Sequence, residues 1–171
     1  MISLGCATFI ARKYLAQDYM NTDPLQIRFA TLKDLPLIQK CAREAYAVYV
    51  DRMGKEPAPM NADFARQIEH GQVMAAFLGT EFTGYVVFYD QGDHLHLENI
   101  AVSPAHAGLG IGKKLITFVE KEARRKGLVA VELYTNEAMT ENLNMYPRLG
   151  YLETGRSLQD GFKRVFFRKV V

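Results

Sequence analysis

The chain has 171 residues, 49% of them hydrophobic and 23% charged, and a net charge of +2. That length holds one domain with a buried core, and the composition is that of an ordinary globular protein rather than a disordered or fibrous one. The charge suits an anionic small ligand and is too small to point to nucleic acid, and no apolar run approaches the roughly 20 residues of a membrane helix.

The opening "MISLGCATFIARKYLAQDY" lacks a basic start before a clean apolar segment, so it is not read as a secretory signal. Met20 stands just before the first strand–helix unit. Residues 1–19 are therefore expected to form an N-terminal extension, either loosely attached or a short packed helix, and residues 20–171 the domain. Cys6 and Cys41 make neither a disulfide framework nor a metal knuckle, which suggests a reducing, cytoplasmic home.

"LQIRFA" alternates like a short strand, and Thr31 can cap a helix over 32–52 with apolar residues at Leu35, Ile38, Ala42, Ala45, Tyr46 and Tyr49. "GKEPAPM" is a loop, and a shorter helix follows over 62–70, ending at Gly71. Three strand-like runs, "QVMAAFL", "FTGYVVFYD" and "HLHLENIAV", are separated by breaks short enough for antiparallel hairpins. A helix over 112–126, closed by Gly127, precedes the strand "VAVELYT" and the helix "EAMTENLNMY". Two last strands turn at Asp160-Gly161. The order predicts a mixed α/β (α+β) sheet with antiparallel strands first and one crossover helix.

The third strand of the meander breaks parity. Leu95 and Leu97 are apolar on odd positions, whereas Ile100 and Val102 are apolar on even ones. Side chains alternate with period two, so one inserted residue near Glu98 or Asn99 restores a common face. Such a bulge leaves a backbone N–H free and bends the strand from its neighbour. Burial of both faces is the other explanation of the pattern.

"SPAHAGLGIGKK" then opens a helix. Gly108, Gly110 and Gly112 permit positive φ and close approach, successive N–H groups form an anion-binding concavity, and the helix N-terminus adds partial positive charge. Lys113 and Lys114 add to it. Position 107 is Ala and Lys114 follows Lys113, so a phosphate-binding P-loop fails; a dinucleotide fingerprint belongs after a first strand, not after a meander.

Together, "IAVSPAHAGLGIGKKLI" and "NMYPRLGY" resemble the GNAT family of acetyl-CoA-dependent N-acetyltransferases over residues 26–171, carried by Val102, Pro104, Gly108, Gly110, Gly112, Tyr146, Gly150 and Tyr151. Ala107 departs from the usual Gln or Arg, and Met139 from a frequent Asn, with Asn142 one turn later. The resemblance implies the GNAT acyl-CoA N-acyltransferase fold: a six- to seven-stranded sheet, a bulged and splayed central strand pair, and about four helices. It implies acetyl-CoA as co-substrate and no metal, with the pyrophosphate on Ala107, Gly108, Leu109, Gly110, Ile111, Gly112 and Lys113. The pantetheine would pair near Ile100, Ala101 and Val102, beside Asn142 and Tyr146.

The same resemblance makes Tyr146 the acid for the leaving thiolate. Pro147 disfavours α geometry at Tyr146, so the regular helix is expected to end there. Glu98 is the first choice of general base, directly or through water, and His96 the second; a solvated polar face is the plainer reading of both. Tyr46, Tyr49 and Arg52 would lie over the acceptor, with Arg52 or Lys55 meeting an acidic group. His106 reads as loop packing. The acceptor is expected to be a small-molecule or peptide primary amine attacking directly, in a monomer or homodimer without nucleic-acid or membrane partners. Two other classes compete: a non-catalytic acyl-CoA sensor, and a cupin-like metal barrel suggested by "HLHLE".

Overall fold

The computed structural model describes residues 24–171. The expected extension over 1–19, Cys6 and Met20 lie outside the described residues. Seven strands form one sheet in the order β1-β2-β3-β4-β5-β7-β6: β1 Leu25–Phe29, β2 Val73–Leu78, β3 Glu81–Asp90, β4 His94–Val102, β5 Ala130–Asn136, β6 Leu152–Gln159 and β7 Phe162–Val170. Neighbours are antiparallel except β4 and β5, which run parallel because the crossover helix joins them. Asp160 and Gly161 both take positive φ at the β6–β7 turn, as a two-residue hairpin of this hand requires.

The helices are α1 Leu35–Tyr46, the single turn α2 Val50–Met53, α3 Phe64–Glu69, α4 Ile111–Arg125 and α5 Thr140–Arg148. The helix expected over 32–52 is broken: a 3-10 turn, Ala47–Tyr49, separates α1 from α2. "YAVYV" places β-branched and aromatic residues at this 3-10 turn, and their helix propensity is low. Thr31 is not the cap. The N-cap is Asp34, whose carboxylate turns back to the amide and hydroxyl of Thr31 and to the Arg28 guanidinium.

Each face of the sheet carries a core. On one, α4 packs Leu115, Ile116 and Val119 against Leu95, Leu97, Val131 and Leu133, joined by Tyr146, Tyr151 and Phe167. On the other, Ile38, Cys41 and Ala42 of α1 and Phe64 of α3 cover Val73, Ala75, Tyr85, Val87 and Ala101. Burial pushes the Cys41 thiol up to about 12, which makes it an inert packing residue.

Candidate active site

The parity break is a β-bulge. On β3, Val87 and Phe88 are consecutive; on β4 their partners are Asn99 and Leu97, so Glu98 is the extra residue. Ile100 and Val102 thereby face the same core as Leu95 and Leu97, while Ala101 packs on the opposite core. Both readings of the pattern hold at once, because the far half of β4 is covered on both faces.

The bulge also parts β4 from β5. The two strands pair from His94↔Ala130 to Leu97↔Leu133 and no further. Beyond that point the Ser103 amide bonds the Thr83 carbonyl at 2.8 Å, and Ala101 and Asn99 register with Tyr85 and Val87. Backbone groups alternate in an antiparallel ladder, so those of Ile100 and Val102 turn toward the gap. The Ile100 carbonyl there accepts the Tyr46 hydroxyl at 2.9 Å. Gly84 keeps β3 close behind this segment; a Cβ on it would stand 2.5 Å from the Ala101 carbonyl oxygen.

A cavity of about 490 Å³ fills the opening, lined by both strand ends, Gly112, Ile116, Asn142, Tyr146 and the 53–67 segment. At its edge Gly108 and Gly110 take φ of 82° and 73°, and Gly110 is the N-cap of α4. Gly112 lies inside the helix expected over 112–126 and, unlike Gly108 and Gly110, does not take a positive φ. Its bareness opens the cavity wall beside Val102 instead of supplying a turn. Among the described residues the amides of Gly108, Gly110, Ile111, Gly112 and Lys113 have no acceptor, while that of Leu109 makes a long bond to the His106 carbonyl at 3.5 Å and that of Lys114 bonds the Gly110 carbonyl at 3.1 Å. Five free donors at a helix N-terminus form an anion seat. Ile111 anchors the loop through its buried side chain, while Ala107 and Leu109 are exposed. A second hollow beside the loop is lined by Lys113, Lys114 and Lys121 with Thr117.

The motif "NMYPRLGY" is a helix stop. Contrary to expectation α5 continues through Pro147 to Arg148, and its end is a Schellman motif. The Tyr151 amide bonds the Tyr146 carbonyl at 3.1 Å, the Gly150 amide bonds the Pro147 carbonyl at 3.0 Å, and Gly150 takes φ 87°. Proline's missing N–H costs one bond, and these two close the helix beyond it. Tyr146 and Tyr151 make the accompanying contact, edge to face with centroids 5.8 Å apart. Tyr146 is 3% exposed, its hydroxyl has no hydrogen-bond partner among the described residues, and burial raises its pKa. It therefore carries a proton at neutral pH and lines the cavity. Asn142 donates to Thr135 Oγ1 at 3.1 Å and touches the buried Met139 sulfur.

Glu98 lines the same cavity. Its carboxylate meets His96 Nε2 at 3.2 Å and accepts the hydroxyls of Tyr134 at 2.9 Å and Tyr89 at 3.1 Å. The His96 contact, more than the tyrosines, holds it below the usual carboxylate range against the opposing effect of burial. His96 stands behind Glu98, its ring between Tyr89 and Tyr134, and is not in the lining. His106 is buried and packs in the loop as expected.

The acceptor-side expectations divide. Tyr46 and Tyr49 line the cavity, with Tyr46 spent on pinning β4. Arg52 does not line it; it forms an exposed pair with Glu141 at 2.7 Å. Lys55 lies over the Phe162 ring at 3.4 Å and donates to the Asp160 carbonyl. Among the described residues the cation that lines the cavity is Arg164 of β7, stacked 4.2 Å over Tyr134. Sequence reasoning passed over it, although "FKRVFFRKV" alternates: Val165 and Phe167 enter the core, so Phe162, Arg164 and Phe166 face the other way.

The profile of the Acetyltransferase (GNAT) family matches residues 37–151. The chain belongs to the GNAT acetyltransferase family. As a GNAT protein it is an acetyl-CoA-dependent N-acetyltransferase, and its open mixed sheet disposes of the cupin-barrel reading. It is 28% identical over 148 residues to the L-methionine sulfoximine/L-methionine sulfone acetyltransferase of Salmonella typhimurium, covering 81% of this chain and 86% of that one. It is 29% identical over 136 residues to the uncharacterized N-acetyltransferase YjgM of Escherichia coli, covering 73% and 80%. The fold is that of the PaiA N-acetyltransferase from Thermoplasma acidophilum solved with coenzyme A, with TM-score 0.72, 18% identity and coverage of 86% of this chain and 99% of that one. This GNAT chain has no helix long and apolar enough to cross a membrane among its described residues.

Proposed function

We propose that this protein moves the acetyl group of acetyl-CoA to a primary amine by direct attack in the cavity between β4 and β5. The observation that carries the reading is the parting of those strands at Glu98, with an anion seat at one end of the gap and an acidic, aromatic chamber at the other. The diphosphate of the coenzyme takes the free amides of Gly108 and of residues 110–113, and the lysine-lined hollow suits its third phosphate. The pantetheine arm pairs with the gap-facing backbone of Ile100 and Val102, which leaves the thioester beside Tyr146.

An alkylamine of lysine-like pKa is mostly protonated at neutral pH, and freeing its lone pair costs roughly 4–5 kcal/mol. Glu98, ionised and facing the cavity, attracts the ammonium group and takes its proton through water. The amine nitrogen then bonds the acetyl carbon and sheds its second proton to solvent, the C–S bond breaks, and the coenzyme thiolate receives the Tyr146 phenol proton, which solvent restores. A gap-facing strand amide holds the oxygen of the tetrahedral intermediate.

The test is release of free thiol from acetyl-CoA against a panel of amines, amino acids and peptides, with the acetylated product identified by mass. Transfer to at least one acceptor is expected. Coenzyme binding without thiol release for any acceptor would instead favour an acyl-CoA sensor.

A further inference from the structure

Two opposite charges face the acceptor chamber without meeting. Glu98 accepts the Tyr134 hydroxyl at 2.9 Å, and the Arg164 guanidinium carbon lies 4.2 Å from the centre of the same ring. One phenol therefore separates them: the carboxylate is at its rim and the guanidinium over its face. Both residues line the cavity, and no ion pair joins them among the described residues.

The Arg164 side chain is 17% exposed. It donates to Gln159 Oε1 at 2.9 Å and to Asp160 Oδ2 at 3.3 Å, and the Asp160 side chain is 80% exposed. An exposed partner is screened by water and neutralises little. A guanidinium has five N–H donors, so two bonds leave donors over for a ligand. Tyr49, Met53, Pro57 and Phe162 supply apolar wall between and around the two charges.

We infer that the acceptor is a zwitterion, an amino acid whose carboxylate is held by Arg164 while its ammonium group faces Glu98, with Tyr134 setting the distance between the two. The inference rests on the acetyltransfer reading for the role of Glu98. A cation and an anion held one ring apart match the short carbon bridge between the two charges of an amino acid. They do not match a simple alkylamine, which would leave Arg164 unanswered in a half-closed cavity. Arg164 acts here as a specificity-determining residue: planar, two-pronged and pre-stacked, suited to a carboxylate in a way that a lysine is not.

The experiment measures binding and turnover separately. The protein saturated with coenzyme A is titrated in a calorimeter with the twenty L-amino acids, and with the decarboxylated amine and the primary amide of each binder. At least one amino acid is expected to bind tenfold or more tighter than its decarboxylated amine and its amide. Arg164→Gln is expected to abolish that difference, and Arg164→Lys to keep part of it. Lys163→Gln, on the opposite face of β7, should keep all of it. Unchanged coenzyme affinity and circular dichroism exclude misfolding of the variants. Failure of every amino acid to bind, an amine binding as well as its parent, or a preference that survives Arg164→Gln would each overturn the inference. Carboxylate-dependent binding with no thiol release from acetyl-CoA would keep an amino acid as the ligand held by Arg164 and overturn only the acetyltransfer reading, and with it the name of acceptor.

Discussion

Tyr46 and Ile100 are joined across 54 positions of sequence by one hydrogen bond, from the phenol to the backbone carbonyl at 2.9 Å, with Asn99 Oδ1 3.2 Å away. The bond fastens α1 to β4 two residues past its bulge, where the strand has lost β5 as a neighbour. Tyr46→Phe leaves that carbonyl without its donor and is expected to cost about 1–2 kcal/mol of stability. It should also raise KM for acetyl-CoA several-fold, because the freed segment is the one proposed to pair with the pantetheine. Chemical denaturation and initial-rate kinetics check the two effects.

Tyr146→Phe keeps the ring that packs on Tyr151 and Phe167 and removes only the hydroxyl. The variant should fold with unchanged melting temperature and bind coenzyme within about twofold, while kcat falls by about 10²-fold or more, the scale of a lost general acid. Burial holds the phenol pKa above its ordinary value, so its protonation should not limit the rate at any pH below about 9. Stopped assays across pH test the claim, and an unchanged kcat in the variant removes Tyr146 from the reaction.

Glu98 is held below the ordinary glutamate range, chiefly by His96, so it is ionised throughout the neutral region and its titration cannot produce an acid limb there. The acid limb of kcat/KM should instead follow the acceptor's own amine and move when an acceptor of lower pKa is substituted. Glu98→Gln should lower kcat/KM for the acceptor by about 10²-fold and leave coenzyme affinity intact. A limb that ignores the acceptor would contradict the assignment.

Asp34 contributes to stability with a defined pH window. Arg28, with help from Thr31, lowers its pKa from 3.8 to about 2 in the folded state. A depressed carboxylate pKa stabilises the fold fully above the unfolded value and loses that contribution as pH falls through the folded one. Asp34→Asn is therefore expected to cost about 1–3 kcal/mol at pH 7. The gap between variant and wild type should close between about pH 4 and pH 2, read by urea denaturation across that range.

The features that could be read in advance share a cause: each is written into neighbouring residues. The bulge appears as a switch from Leu95 and Leu97 to Ile100 and Val102, and the hairpin turn as Asp160-Gly161. Arg164 could not be ranked in the same way. Its alternation with Phe162 and Phe166 marks a face, but only the sheet order, with β7 inserted between β5 and β6, sets that face beside Tyr134 and Glu98. Arg52 and Lys55 misled for the same reason, since their partners Glu141 and Asp160 lie 89 and 105 positions away. The run-on of α5 through Pro147 was hidden as well. Its closing bonds come from Gly150 and Tyr151, and local propensity at Pro147 carries no trace of them.

That closure makes the terminus of α5 a ruler. Tyr146 and Tyr151 are clamped to each other through a left-handed glycine, so the reach of the phenol into the chamber is set by a count of residues and not by its own rotamer alone. An insertion or deletion over 147–150 cannot be absorbed as slack. It would shift the hydroxyl within the chamber even in a chain that still folds, so, on the acid role proposed for Tyr146, this short segment limits how far the sequence can drift without silencing the reaction.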